Sequence, residues 1–462
     1  MKSAGIYGTH WVRYGTAADQ CYLEGEFRAT YDQIVVNGNM VAHMPSALSV
    51  FLTQRVQKPF VIDPQTHAFA HDIEYLLSKS KSSAGEIKRS WRKLIEKYGE
   101  VLEHALLEEK RPLDPTDFDN EVSRKNFTKN VLLFQRDAIT DEIKEGPDRD
   151  YVEFLKEETG TSTTVMPPAM LVAPYFFIHG PLAAGWQEKN LQFIQDSRSV
   201  VTAEGIEEPL AAQLVISQEI LADSRRRDEL VELYAQQEPD VILLWIDQLN
   251  EHTAPESELE SFISLLSGFA KKKIPVVNLY GGFFSVAMMR FSTLLNGQFA
   301  AVCHGLEYGE TRSVIPLGGG TPVAKFYSRQ LHHRLPPRVA LRTIHLLDGM
   351  NAVSDFHSNV CGCRNCQEVI CEDPEQDLIA YFETKESTFW RAGKRISMDF
   401  PTGQASENCT KHYMWCKEWE YRDMATTIDQ LKQELLKTDQ QLRKPIGVEY
   451  AGHPLAWSNV LR

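Results

Sequence analysis

Val241-Ile242-Leu243-Leu244-Trp245 is an unbroken apolar run, and Val276-Val277-Asn278-Leu279 is another. Between them Thr253 and Glu256 stand at capping-box spacing, ahead of Leu259, Phe262, Ile263, Leu266 and Phe269 on one helical face. Strands that lack apolar/polar alternation are buried on both faces, which is how parallel strands covered by helices read. The segment is therefore a strand–helix–strand unit of a parallel sheet.

The same reading extends outward. Gln33-Ile34-Val35-Val36, Pro59-Phe60-Val61-Ile62, Met170-Leu171-Val172-Ala173, Gln213-Leu214-Val215-Ile216 and Phe299-Ala300-Ala301-Val302 are further strand candidates, with one more near Ile6-Tyr7. Ser83 and Glu86 suggest a cap before Ile87, Trp91, Leu94, Ile95 and Tyr98, and Asp223 a cap before Leu230, Leu233 and Tyr234. Met424, Ile428, Leu431 and Leu435 mark a last helix. Eight strands alternating with helices predict an α/β fold, a (β/α)8 TIM barrel. A doubly wound sheet is the alternative, weakened in its dinucleotide-binding form because no G-x-G-x-x-G follows the first strand. The chain divides into a barrel start (1–71), a helical insertion (72–165), the barrel remainder (166–310), a hairpin and cysteine-rich subdomain (311–420), and the last barrel helix with a tail (421–462).

The formal net charge of −14 argues against broad, non-specific binding to phosphate backbones. The basic runs Arg225-Arg226-Arg227 and Lys271-Lys272-Lys273 read as solvated helix ends. Met1-Lys2-Ser3-Ala4-Gly5 leads into no apolar targeting segment, and no stretch is apolar enough for a membrane span, so a cytoplasmic location is expected. There thiols stay reduced, and the clustering of six of the eight cysteines between 361 and 416 calls for metal rather than disulfides.

Cys361-Gly362-Cys363-Arg364-Asn365-Cys366 is a C-x-C-x-x-C element. Three thiolates this close can share one tetrahedral ion if the turn is tight, and a fourth ligand must come from elsewhere. His412 is the first candidate and Cys371 the second; Cys409 and Cys416 flank His412. Four protein ligands would close the shell and make the zinc structural.

With a distant His412 ahead of a final helix, this element resembles the zinc subdomain of the tRNA-guanine transglycosylases, which in that family lies between the eighth strand and eighth helix of a TIM barrel. Asp32-Gln33-Ile34-Val35-Val36-Asn37-Gly38-Asn39 is similar to the family's second strand. Pro59-Phe60-Val61-Ile62-Asp63-Pro64-Gln65 resembles the strand whose aspartate sits beside the exchanged base, and Leu214-Val215-Ile216-Ser217-Gln218 the strand whose glutamine reads the guanine edge. The resemblance runs in order over roughly residues 30–436. It departs at three places. Trp245-Ile246-Asp247-Gln248 stands where the family has Gly-Gly, and Gly281-Gly282 comes one strand later. Ala173-Pro174-Tyr175 replaces a base-binding aspartate, and Phe299-Ala300-Ala301-Val302-Cys303-His304 lacks the nucleophilic one.

The resemblance implies exchange or removal of guanine or a 7-deazaguanine-type base in tRNA or DNA, with a purine or 7-deazapurine as small substrate. The alternative is a non-catalytic homologue that binds nucleic acid or a catalytic partner; homodimer and heterodimer both stay open. Breaking an N-glycosidic bond passes through an oxocarbenium-like state that a carboxylate can stabilise or trap. Asp63, Gln218 and Asp247 end strands and should face one mouth. Asp63, Asp247 and Glu310 are the catalytic candidates, with Glu307, His304 and Cys303 as further replacements for the missing nucleophile. Gln218, Tyr175, Gly281 and Gly282 are the substrate-binding candidates. Arg312, Lys325, Arg329 and Arg334 are candidates for phosphate contact, within a segment that also carries His332 and His333.

Overall fold

A computed structural model describes residues 5–80, 83–140, 167–306, 309–316, 323–391, 394–424 and 427–461. Eight parallel strands form one sheet: β1 (Thr9–Tyr14), β2 (Gln33–Asn37), β3 (Phe60–Asp63), β4 (Leu171–Val172), β5 (Leu210–Ile216), β6 (Val241–Ile246), β7 (Val276–Asn278) and β8 (Phe299–Gly305). Their order is β3-β2-β1-β8-β7-β6-β5-β4, so the last strand pairs with the first, Trp11 opposite Cys303. The edges β3 and β4 approach each other, where Ala169 N–H donates to the Phe60 carbonyl at 2.7 Å. The expected barrel is present and nearly closed.

The seam has a physical cause. Pro174 has no N–H to continue the β4 ladder. Pairing with β5 stops after Ala173 N–H reaches the Ala211 carbonyl and resumes at Ile178, whose N–H reaches Val215. The Gln135 side chain, on helix Glu121–Asp137, fills the gap on the other edge. Its amide accepts from Val172 N–H and donates to the Val172 carbonyl, both at 2.8 Å. A helical insertion thus supplies the ladder bonds that a third strand would have made.

Two readings of local sequence are corrected. The first strand runs from Thr9, just past Ile6-Tyr7; its apolar pattern was hidden from sequence because His10 and Arg13 within it are buried polar residues. Ser83 and Glu86 close a turn, and the helix starts only at Arg89 after Lys88. Asp223 does cap Ser224–Ala235, accepting from Arg225 N–H at 2.9 Å and Arg226 N–H at 3.2 Å. Residues 141–165 of the insertion lie outside the described residues.

The chain forms two compact units. The first is Met1–Leu249, Glu260–Gly282 and Thr293–Pro316, and holds the barrel and the insertion. The second is Asn250–Leu259, Phe283–Ser292 and Leu317–Arg462. It contains two antiparallel hairpins, β9 (Phe326–Ser328) with β10 (His333–Leu335) and β11 (Thr384–Arg391) with β12 (Lys394–Pro401). Its longer helices include Gly403–Arg422, Ile428–Ile446 and His453–Val460. The division drawn at 420/421 falls inside the first of these helices. No described helix is long and apolar enough to cross a membrane.

Candidate functional site

In the second unit Cys361, Cys363, Cys366 and His412 bring their ligand atoms within 4.8 Å of one another. Cys363 caps helix Arg364–Val369, its sulfur accepting from Cys366 N–H at 3.5 Å, while the Cys361 sulfur accepts from Cys363 N–H at 3.4 Å. These bonds favour the thiolate form. Gly362 suits the turn, since a Cβ there would sit 3.1 Å from the His357 carbonyl.

His412 lies in the middle of Gly403–Arg422 and is fully buried. Its Nε2 meets the Tyr327 carbonyl at 2.8 Å, which turns Nδ1 toward the sulfurs of Cys366 at 3.2 Å, Cys363 at 3.3 Å and Cys361 at 3.9 Å. That outer hydrogen bond is how a ligating imidazole is oriented. Tetrahedral coordination, with metal–sulfur near 2.3 Å and metal–nitrogen near 2.05 Å, puts sulfur and nitrogen about 3.6 Å apart, so the set fits a metal ion. The local field agrees. Burial opposes charge on His412, but the negative charge of Cys361 and Cys363 outweighs it, so the cluster favours a cation at its centre. Cys371 is exposed and outside the cluster. Cys416 is near, its sulfur 3.9 Å from Cys361 and 3.7 Å from His412 Nδ1.

In the barrel unit the C-terminal strand ends converge on Asp63, which is 2% exposed. Arg13, at the end of β1, donates from Nη2 to Asp63 Oδ2 at 2.6 Å and to Asn37 Oδ1 at 3.1 Å. Tyr175 donates its hydroxyl to Asp63 Oδ1 at 2.7 Å, and Gln65 N–H donates to the same oxygen at 3.0 Å. Gln65 adopts φ 54°, a left-handed conformation that folds its N–H back onto the carboxylate. Gly38 lets β2 approach, because a Cβ there would stand 3.0 Å from the Asp63 carbonyl. Burial alone would raise the Asp63 carboxyl, but Arg13 and the Tyr175 hydroxyl hold it below the ordinary range. Asp63 is therefore anionic at neutral pH.

Aromatic rings close the mouth around this pair. His67 stacks on Tyr175 with ring centres 5.2 Å apart and meets Trp245 edge-on at 5.2 Å. Trp245 packs on Tyr280 at 4.7 Å and donates Nε1–H to the Arg312 carbonyl at 3.1 Å. The Arg13 guanidinium carbon lies 5.1 Å and that of Arg312 5.8 Å from the centre of the Tyr280 ring. Beside them opens a cavity of about 340 Å³, lined by Arg13, Asp19, Asn37, Tyr280, Thr311 and Arg312 and by the chain at Gly15, Gly305 and Gly309. Nη1 of Arg13 is buried and has no hydrogen-bond partner among the described residues.

The other candidates are dispersed. Asp247 is half-buried, accepting from Val314 N–H at 2.7 Å and Gln248 Nε2 at 3.3 Å. Gln218 is exposed and donates to the Gln248 carbonyl at 3.1 Å. Gly281 is tied to β8, its N–H donating to the Cys303 carbonyl at 3.0 Å, and neither it nor Gly282 lines the cavity. Glu310 is half-buried between Gly309 and Thr311, which do; Glu307 lies outside the described residues. Cys303 and His304 are fully buried in β8. Burial pushes the Cys303 thiol up to about 12, so it is no thiolate nucleophile, and His304 Nε2 faces His10 Nε2 at 2.6 Å. Arg329 and Arg334 of the second unit cover Trp419 and Tyr413, with guanidinium carbons 3.8 and 3.7 Å from the ring centres. Sequence reading missed Arg13, His67 and Tyr280. An arginine inside a strand, Trp11-Val12-Arg13, was the available signal.

Two buried histidines make the barrel unit acid-sensitive. Burial lowers His67 to about 3 and His71 to about 4, whereas both titrate near 6.5 in an unfolded chain. Above pH 6.5 neither state binds the proton, and the stability is whole. As pH falls toward about 4, the unfolded chain gains protons that the fold refuses, at about 1.4 kcal/mol per pH unit per histidine. His67→Gln should remove its share of that slope in denaturant unfolding; an unchanged slope would mean that His67 protonates in the native state.

No protein-family model matches the chain, and no curated protein matches it.

Proposed function

We propose that this chain is a transglycosylase-like protein that exchanges or removes a guanine or 7-deazaguanine-type base in tRNA or DNA, with the barrel mouth as its base and nucleotide site. The observation that carries the reading is the ionised, buried Asp63 at a strand end, 2.6 Å from Arg13, beside a cavity of about 340 Å³. That volume lies within the roughly 300–1,000 Å³ of small-ligand sites. A carboxylate kept anionic in a water-poor site is suited to stabilise the sugar cation of N-glycosidic cleavage. Tyr280 offers a ring for stacking, and Arg13 and Arg312 offer donors to a phosphate or a base edge.

Zinc is the ion proposed for Cys361, Cys363, Cys366 and His412. Soft thiolates with one imidazole in a closed tetrahedral set suit it, and a closed set makes it structural. Its ligands would hold a loop to helix Gly403–Arg422.

The test is incorporation of labelled guanine or a 7-deazaguanine into tRNA and into DNA. Asp63→Asn keeps one oxygen, for Arg13, and turns its amide toward the Tyr175 hydroxyl, which can accept; it should fold with its full metal content. It should lose about 100–1,000-fold in rate, the usual cost of removing one preorganised electrostatic group. Unaffected incorporation rejects the role of Asp63. The ion pair itself favours a second reading, a homologue without catalysis, because Arg13 already neutralises the carboxylate. Under it the wild-type chain would bind the polymer yet exchange no base and form no covalent adduct.

A further inference from the structure

The geometry points to a second metal site in the second unit: His252, His333 and His453 as a three-imidazole seat for a first-row divalent ion, Zn2+ foremost. One ring nitrogen from each of the three lies within 4.8 Å of the others. They come from separate places in the sequence. His252 sits in the turn before helix Glu256–Lys271, His333 opens β10, and His453 begins helix His453–Val460.

What distinguishes the cluster from ring packing is where the outer nitrogens go. His252 Nε2 meets the His332 carbonyl at 2.9 Å, His453 Nε2 the Leu331 carbonyl at 2.7 Å, and His333 Nδ1 the Tyr450 carbonyl at 3.4 Å. A carbonyl accepts only from an N–H. In a neutral ring such a bond puts the N–H on the bonded nitrogen and leaves the lone pair on the other, the orientation that ligating histidines show. His252 and His333 are stacked 4.1 Å apart, and both meet His453 edge-on, at 4.9 and 5.3 Å. Trp457 backs His453 at 4.5 Å and is anchored by its Nε1–H to the Glu251 carbonyl at 2.8 Å.

Tetrahedral ligation by imidazole places nitrogens about 3.3 Å apart, so the rings close in on the ion by less than an ångström each. His252 and His333 are half-buried. Three protein ligands with access from outside leave a coordination position for water or an exogenous ligand, unlike the closed thiolate set.

The experiment uses the full chain, free of any histidine tag, dialysed to equilibrium against Zn2+ and analysed for metal per chain. Two equivalents are expected. The His252→Gln/His333→Gln chain should hold one, and its second-site affinity should fall by more than the roughly 10–100-fold that losing an outer-shell partner costs. Co2+ substitution separates the sites. Thiolate-to-cobalt charge transfer should be complete at one equivalent, and the second should add only ligand-field absorption. One equivalent in the wild-type chain, or two in the double variant, overturns the site. If the double variant folds poorly, His333→Gln alone, at a half-buried position, carries the same comparison. None of these readouts depends on base exchange.

Discussion

Arg13→Met should destabilise the barrel unit by about 3–5 kcal/mol, the cost of leaving a buried charge without its partner. Asp63 would keep the Tyr175 hydroxyl and the Gln65 N–H, so the lower end of that range is expected. The second change, Asp63→Leu in the same chain, should restore most of the loss, because an apolar pair avoids both desolvation costs. The pH dependence gives a further check. In the native protein the Asp63 carboxyl is depressed, so its share of stability is present above the unfolded value near 3.9 and is lost as pH falls below it. Without Arg13, burial should raise the carboxyl above that value, and the variant should regain stability as pH falls through its new pKa. Urea unfolding of the four chains of this cycle between about pH 3 and 8 measures both effects. A coupling energy near zero would show that the ion pair is incidental to the fold.

The largest expected effect belongs to the thiolate cluster. Stripping the metal, or replacing Cys366 with Ser, should abolish the cooperative unfolding of the second unit. Structural zinc contributes on the order of 10 kcal/mol to small folded units, while whole domains are stable by about 5–15 kcal/mol. Cys366 and His412 are fully buried, so unbound thiolates and imidazole would remain in a low-dielectric interior. Cys371→Ser, at an exposed position outside the cluster, should change neither metal content nor melting. Differential scanning calorimetry with elemental analysis decides the matter. A chelated protein that melts unchanged would remove the metal from the fold. Loss of one equivalent in Cys371→Ser would reassign the fourth ligand.

The sequence by itself determined the strands, their parallel character and the thiolate cluster. Each depends on neighbours along the chain: strands buried on both faces read as continuous apolar runs, and C-x-C-x-x-C needs only a turn at Gly362. The same local logic failed at β1, where His10 and Arg13 are buried polar residues whose partners lie 294 and 50 positions away. Only the tertiary structure decided the mouth. Barrel closure brings β1 beside β8 and carries Arg13 to Asp63, while the detour at Pro174 carries Tyr175 to the same carboxylate. Gln218 and Asp247 follow the ends of β5 and β6, yet their side chains are engaged by neighbouring loops. The period of a strand says which residues point inward; which of them meet at one end depends on stagger and loop path, and neither is written in any local stretch. The three histidines at 252, 333 and 453 show the same limit, since no spacing between them is short enough to read as a ligand set.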